Sequence, residues 1–368
     1  MKSSFLVNFI DYEKAFDSVD RKTLWKIMRH YGIPVKLVTL VEELYEGSSC
    51  RILHDGQLTD SFYIKTGVKQ GCILSPFLFI LTIDWLMKEA TSGGRNGIQW
   101  TLWKQLDDLD FADDLALLSH TQMQMQEKTS ELDRLSRSVG LHIHSGKSKI
   151  LRVNNTKEAA VVVNNKKLEE VDSFVYLGSV IDGNGGTGAD VKTRIGKART
   201  AFLSLSKIWR DRTLSLRTKL RLFNSNVKSV LLYGSETWAA TQTCIKRLQT
   251  FINRCLRKIL SWTDKVKNEE VWKRAEQETM KTEVGRRRWR WIGHTLRKSN
   301  NSITKKALQW NPQGTRNRGR PRGTWRRVMV KDLERSGLSW QQTQKISRDR
   351  TEWKAFVRGL YPGRGDRQ

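Results

Sequence analysis

Leu106-Asp107-Asp108-Leu109-Asp110-Phe111-Ala112-Asp113-Asp114-Leu115-Ala116-Leu117-Leu118-Ser119 contains two short β-favourable runs on either side of Ala112-Asp113-Asp114. Such a pattern predicts a hairpin with two carboxylates at its tip. Upstream, the apolar run from Ser4 to Ile10 stops abruptly at Asp11, which predicts a central strand with a third carboxylate at its exit. Between them lie helices. Asp20 is placed to cap one whose apolar positions Leu24, Ile27, Met28 and Tyr31 follow helical spacing and end at Gly32, and Pro34 opens the next. Arg51 to Lys65 predicts two short strands about the Asp55-Gly56 turn, and Ser75-Pro76 starts an apolar helix through about Glu89. A further helix is expected from about Gln122 to Val139, then hairpins from Lys149 to Ile181, then helices from Val191 through Leu260. The class is α+β.

Three acidic residues at the ends of apolar strands need compensation, because an unpaired buried carboxylate costs several kcal/mol. With no His or Cys cluster nearby, oxygen ligands favour Mg²⁺ or Mn²⁺ over zinc. Two such ions about 3.5–4 Å apart can activate a 3′-hydroxyl and stabilise the leaving pyrophosphate of an in-line nucleotidyl transfer. Taken alone, Asp113-Asp114 is more often simply a polar hairpin tip. Its surroundings decide between the two.

The 368 residues are enough for two or three domains, and no apolar run approaches the length that crosses a bilayer. Cys50, Cys72, Cys244 and Cys255 have no paired spacing, so neither a disulfide framework nor a zinc module is expected, and a reducing, intracellular setting in nucleus or cytoplasm fits. Net charge is +28, and all of the excess lies late in the chain. Residues 1–150 hold 18 basic and 19 acidic side chains, whereas residues 151–368 hold 48 and 19. A basic block interleaved with aromatics is the footprint of a phosphate-binding surface.

Phe9-Ile10-Asp11-Tyr12-Glu13-Lys14-Ala15-Phe16-Asp17-Ser18-Val19, Gly67-Val68-Lys69-Gln70-Gly71-Cys72-Ile73-Leu74-Ser75-Pro76 and Phe111-Ala112-Asp113-Asp114 resemble, in that order, motifs A, B and C of a reverse transcriptase palm. Gly140-Leu141-His142-Ile143 with Lys147-Ser148-Lys149 resembles motif D, and Tyr176-Leu177-Gly178 resembles motif E, the primer grip. The wording is that of non-LTR retrotransposons, near their RTE-like and jockey-like branches. Arg288-Trp289-Arg290-Trp291-Ile292-Gly293-His294 and Gly319-Arg320-Pro321-Arg322-Gly323-Thr324-Trp325 resemble the region after the polymerase in such elements.

The resemblance implies an RNA-directed DNA polymerase. Its partners are then an RNA template, a DNA primer or target and deoxynucleoside triphosphates, with no membrane; its cofactor is two Mg²⁺ or Mn²⁺ ions. Asp11, Asp113, Asp114 and the Tyr12 carbonyl become the metal site, and Lys147 the cation at the leaving pyrophosphate, a place that Lys149 could also take. Phe16 becomes the gate against a ribose 2′-OH, and Gln70 and Gly71 contact the incoming nucleotide and its template base. The organisation implied is a palm over 1–184, a helical thumb over 185–265 and a basic, Trp- and Arg-rich nucleic-acid-binding region over 266–368. Arg318-Gly319-Arg320-Pro321-Arg322 also contains the core of an AT-hook, in which arginines enter a narrow minor groove.

Motif A begins near residue 5, which leaves no fingers region before it. The expectation is therefore the C-terminal part of an element's polyprotein, impaired in catalysis, with exposed apolar surface near Phe5–Phe9 and Phe62–Ile64. The alternative is a catalytically silent nucleic-acid-binding protein derived from a retroelement; a splicing-type maturase is weaker, given the tail.

Overall fold

The computed structural model describes residues 4–363 except 94–95, 100–104, 155–158, 184–185, 262–265 and 311–323. Arg318, Arg320 and Arg322 thus lie outside the described residues. The chain divides near Leu177 into two compact units.

The first unit is built on β1 (Phe5–Ile10), whose Leu6, Val7, Phe9 and Ile10 are all buried. A strand apolar on both sides, instead of alternating, must be covered on both faces. Helices α1 (Arg21–His30), α2 (Val35–Tyr45) and α3 (Ser75–Thr91) follow it. Next come β2 (Asp108–Phe111), β3 (Asp114–Ser119), α4 (Gln122–Ser138), β4 (Lys149–Val153), β5 (Glu169–Val171) and β6 (Ser173–Tyr176). The main sheet has the order β5-β4-β1-β3-β2, so β1 is its centre. It runs antiparallel to both neighbours, with Phe9 opposite Lys149 on one side and Ala116 on the other.

One face of the sheet carries the helices. Leu6, Leu24, Met28, Leu78, Phe79 and Leu132 meet there in a single core. Asn8 is the polar exception in β1: its Nδ2 donates to Thr129 Oγ1 on α4 at 2.9 Å, while its Oδ1 is buried without a hydrogen-bond partner among the described residues. The helix starts are as the sequence dictates. Asp20 accepts from the Thr23 amide, and Thr121 with Gln124 forms a capping box on α4.

The expectation of an exposed apolar edge is right in one place and wrong in the other. Phe62, Tyr63 and Ile64 are 46%, 73% and 40% exposed. The Phe5–Phe9 strand is instead interior, because both of its edges are paired and Phe9 stacks on Phe174 at 4.0 Å on the face away from the helices.

The second unit is helical. Its larger helices are α5 (Gly188–Ser204), α6 (Gln242–Leu260), α7 (Met280–Leu296), α8 (Trp325–Ser336) and α9 (Arg350–Leu360). Val191, Phe202, Phe223, Leu248, Ile252 and Leu256 centre one core; Trp289, Ile292, Trp353 and Val357 centre another. In the latter, buried Asp332 accepts from Trp289 Nε1 at 2.8 Å and the Tyr361 hydroxyl at 2.7 Å, and pairs with Arg335. The tryptophans that the sequence only marked as Arg-flanked are therefore core residues. A Cβ on Gly293 would lie 2.0 Å from Trp353 Nε1, so α7 and α9 pack too closely for any other residue there.

Candidate active site

β1 ends with Ile10 opposite Leu115, and the antiparallel register carried one step further sets Asp11 beside Asp114. Asp114 also pairs with Phe111 to close the β2–β3 hairpin, with Ala112 in the left-handed region at φ 55° and Asp113 at the tip. The three carboxylates expected from strand exits thus share one end of the sheet. Burial, then Asp113, then Asp11 raise the Asp114 carboxyl above its ordinary range. Their like charges thus oppose one another.

Asp11 is fixed through its backbone. Its amide donates to Ser148 Oγ at 3.1 Å, and its carbonyl accepts from the His144 amide at 2.8 Å. The Glu13 amide donates to the His142 carbonyl at 2.9 Å, so these two bonds flank the Tyr12–Ile143 bridge. In such a non-bonded pair the Tyr12 carbonyl is directed away from the Ile143 segment, toward the edge on which β3 lies. The Tyr12 ring turns inward, with its hydroxyl 2.7 Å from Ser136 Oγ, and burial raises its phenol well above the usual range. One oxygen of Asp11, Oδ2, is enclosed without a hydrogen bond, and the nearest cation is Lys147 Nζ at 3.6 Å. The other lysine of this segment has partners of its own: Lys149 Nζ is held by Glu169 Oε2 at 2.6 Å and the Gly146 carbonyl at 2.7 Å.

Phe16 lies on the turn after Asp11, half-buried, its ring stacked on Phe79 of α3 at 4.5 Å. Its carbonyl accepts from the Val68 amide at 2.7 Å, and the Gly67 amide donates to the Val19 carbonyl at 2.8 Å. The second motif is thereby docked on the first. A Cβ on Gly67 would sit 2.5 Å from the Asp17 carbonyl oxygen, and one on Gly140 would sit 2.4 Å from that of Ser18. Gln70 and Gly71 follow on the exposed part of this loop, Gly71 at φ 88°, a conformation glycine adopts without strain.

The Tyr176 hydroxyl donates to the Leu109 carbonyl at 2.9 Å and the Asp114 carbonyl at 3.2 Å, bracing both strands of the carboxylate hairpin. Leu177 and Gly178 form the turn after it, with φ of 47° and 76°. Within the second unit the Gly178 carbonyl accepts from Arg194 Nη2 at 2.5 Å.

Sequence reasoning passed over Asp108 and Asp110. They stand two apart on β2, hence on one face, and are joined by a hydrogen bond. Although Asp110 is exposed as a residue, the protein around its carboxyl, followed by the charge of Asp108, pushes its pKa up to about 8. The alternation Asp-x-Asp in a short strand was the available signal.

Enclosed, unsatisfied carboxylate oxygen and mutually repelling acids form an oxygen-only donor set that suits a hard divalent cation. Among the described residues no group of three or more His, Cys, Asp or Glu side chains stands close enough together to hold a metal ion by side chains alone.

Residues 1–181 match the family described as reverse transcriptase (RNA-dependent DNA polymerase), and residues 201–233 match a domain of unknown function. The chain is 26% identical over 269 residues to a putative uncharacterized transposon-derived protein of Caenorhabditis elegans, covering 69% of this chain and 96% of that one. It is 37% identical over 151 residues to the Pol polyprotein of the type-2 retrotransposable element R2DM of Drosophila melanogaster, covering 40% of this chain and 13% of that one. It is 24% identical over 262 residues to the RNA-directed DNA polymerase from mobile element jockey of Drosophila funebris, covering 68% and 28%. Among solved structures, telomerase from Candida albicans aligns over 74% of this chain and 50% of its own, with 12% identity and a TM-score of 0.41. Residues 1–181 are thus a reverse transcriptase domain of the kind found in the proteins of non-LTR retrotransposons such as R2 and jockey.

Proposed function

We propose that this chain extends a DNA primer 3′-hydroxyl with deoxynucleoside triphosphates on an RNA template. The observation that carries the reading is the meeting of Asp11 with the Asp113-Asp114 hairpin at one end of the sheet, with Lys147 3.6 Å from Asp11. Asp11, Asp113 and the Tyr12 carbonyl, with Asp114 beside them, would hold two Mg²⁺ or Mn²⁺ ions, which supply an acidified 3′-hydroxyl and charge for the leaving pyrophosphate. Lys147 stands at the mouth of this site as a proton donor or counter-charge for that pyrophosphate.

Phe16, backed by Phe79, takes the place of a wall against a ribose 2′-OH, and its position follows from the two loops that clasp the turn carrying it. Gln70 and Gly71 offer a polar side chain and an unhindered backbone to the base pair being formed. Tyr176, Leu177 and Gly178 are placed as a primer grip, with Tyr176 linking it to the carboxylate hairpin. In this reading residues 1–184 are the palm, 185–265 a helical thumb and 266–368 a basic nucleic-acid-binding region; Arg318, Arg320 and Arg322 belong to the last as minor-groove contacts.

The test is primer extension by the purified chain on an RNA template with Mg²⁺, compared with Asp113→Asn. Extension that the substitution abolishes, with primer–template affinity retained, supports the reading. Binding without any extension by the unsubstituted chain would favour the silent nucleic-acid-binding protein instead.

A further inference from the structure

Within the second unit, α5 and α6 leave between them a groove of about 1080 Å³. Its floor is apolar, made by Ile195, Phe202 and Phe251, with Leu203 more exposed at the side. Its rim is cationic: Arg199 on α5 faces Lys246, Arg247, Arg254 and Lys258 on α6. Among the described residues no carboxylate lines it. A smaller hollow lined by Lys192, Gly196, Arg199 and Arg247 continues it along α5.

Some cations of the unit are already matched. Lys228 is matched by Glu283, and buried Arg288 lies beside Asp332. Arg257, which also lines the groove, donates to the Val266 carbonyl and Asn268. The five rim cations make no ion pair or side-chain hydrogen bond among the described residues. Five like charges along one groove repel one another, and only a ligand carrying several negative charges would turn that repulsion into attraction.

The shape narrows the choice of polyanion. Helices in contact pack with axes roughly 8–10 Å apart, so a duplex is too wide to enter between α5 and α6 and could lie only across the rim. A single strand fits, with bases against the apolar floor and phosphates on the cations. Arg247, Arg254 and Lys258 recur on one face of α6 and form a rail about 16 Å long at 1.5 Å per residue. Thr250 lies on the same face, and its hydroxyl donates to the Lys246 carbonyl at 2.9 Å. That leaves its lone pairs as acceptors for a donor, which a ribose 2′-OH supplies and a deoxyribose does not.

We propose that the α5–α6 groove is a binding site for single-stranded RNA, separate from the carboxylate site and independent of whether that site polymerises.

The experiment measures binding of a fluorescein-labelled ten-nucleotide RNA to the full chain by anisotropy, without primer or triphosphates, so that a failure of polymerisation leaves the result untouched. The same length of single-stranded DNA, the duplex RNA and polyglutamate are the other ligands. Arg247→Glu with Arg254→Glu should weaken single-stranded RNA binding at least tenfold and flatten the log–log salt dependence by about 1.4, two phosphates at roughly 0.7 each. Thr250→Trp fills the groove without changing charge and should weaken binding severalfold, with an unchanged melting curve as proof of folding. Lys207→Glu with Arg210→Glu, an equal charge reversal outside the groove, should cost less than threefold. An equal loss from that control, unaffected binding in Thr250→Trp, or a preference for duplex, DNA or polyglutamate would each overturn the proposal.

Discussion

Lys147 holds its ammonium 3.6 Å from Oδ2 of Asp11, an enclosed oxygen that accepts no hydrogen bond. The neighbouring Lys149 is instead spent on Glu169 and the Gly146 carbonyl. Lys147→Met should therefore lower the single-turnover rate of primer extension by about 10²–10⁴, the usual scale of a lost proton donor, and leave primer–template affinity unchanged. Lys149→Met should leave that rate nearly intact. Stability is a poor readout here, because an exposed pair contributes little. A similar loss in both variants would remove Lys147 from its role.

Divalent ions should register in the melting temperature before any chemistry is measured. Without metal, Asp114 titrates high because burial, Asp113 and Asp11 all disfavour its charge, so Asp113→Asn should raise the melting temperature slightly in EDTA. In millimolar Mn²⁺ the unsubstituted protein should gain stability and the variant should not, since binding to the native state alone stabilises it. Differential scanning fluorimetry checks both halves. Equal gains in the two proteins would place the ions elsewhere.

In the proposed function sugar selection rests on the Phe16 ring, which is stacked on Phe79 at 4.5 Å. Phe16→Val opens space beside the nucleotide and should raise incorporation of ribonucleotides relative to deoxynucleotides by an order of magnitude or more, read in single-nucleotide extension. The lost ring contact should also cost about 1–2 kcal/mol by urea unfolding, within the range for trimming half-buried aromatics. Lost stability with unchanged sugar preference would make Phe16 a packing residue only.

The acid pair on β2 predicts an unusual pH dependence. Asp110 titrates near 8 in the fold and near 4 when unfolded, so between those values the native state binds more protons than the unfolded chain. Its contribution to stability accordingly falls as pH rises from about 4 to about 8. Asp110→Asn should remove that slope, raising the melting temperature in EDTA by a few degrees at pH 8 and changing little at pH 4.5. Parallel curves for the two proteins would contradict the shared-proton arrangement.

Gly293→Ala should unfold the core around Trp289 and Trp353 selectively, because the new methyl would meet the Trp353 ring at 2.0 Å. A cost of about 1–3 kcal/mol is expected for such overpacking. Limited proteolysis should then cut within α7 to α9 while the first unit stays protected.

Most of the first unit was legible because its signals are local. Asp20, Thr121 and Pro76 mark helix starts that backbone hydrogen bonding alone requires, and the three carboxylates lie at the ends of short β-favourable runs. Two matters were not local. The run read as a central strand is one, but the covering of its second face depends on Phe174, far off in sequence, which the local pattern does not show. The tryptophans after Lys267 have few clean periods because their short helices bury rings against one another and around Asp332 instead of against one long partner. The pairing of Lys149 with Glu169, twenty residues away in sequence, was likewise not legible.

Gly67 and Gly140 press on the backbone of Asp17 and Ser18, with room for no side chain at either point. Three stretches that read as separate motifs are therefore one interlocked part, and evolution could not retune them singly. A change that lifts either loop displaces the turn bearing Phe16 before it disturbs any group that faces substrate. Fidelity in such an enzyme would then drift through residues remote from the nucleotide, and substitutions under either clasp would be the place to look for polymerases with altered sugar tolerance whose carboxylates are untouched.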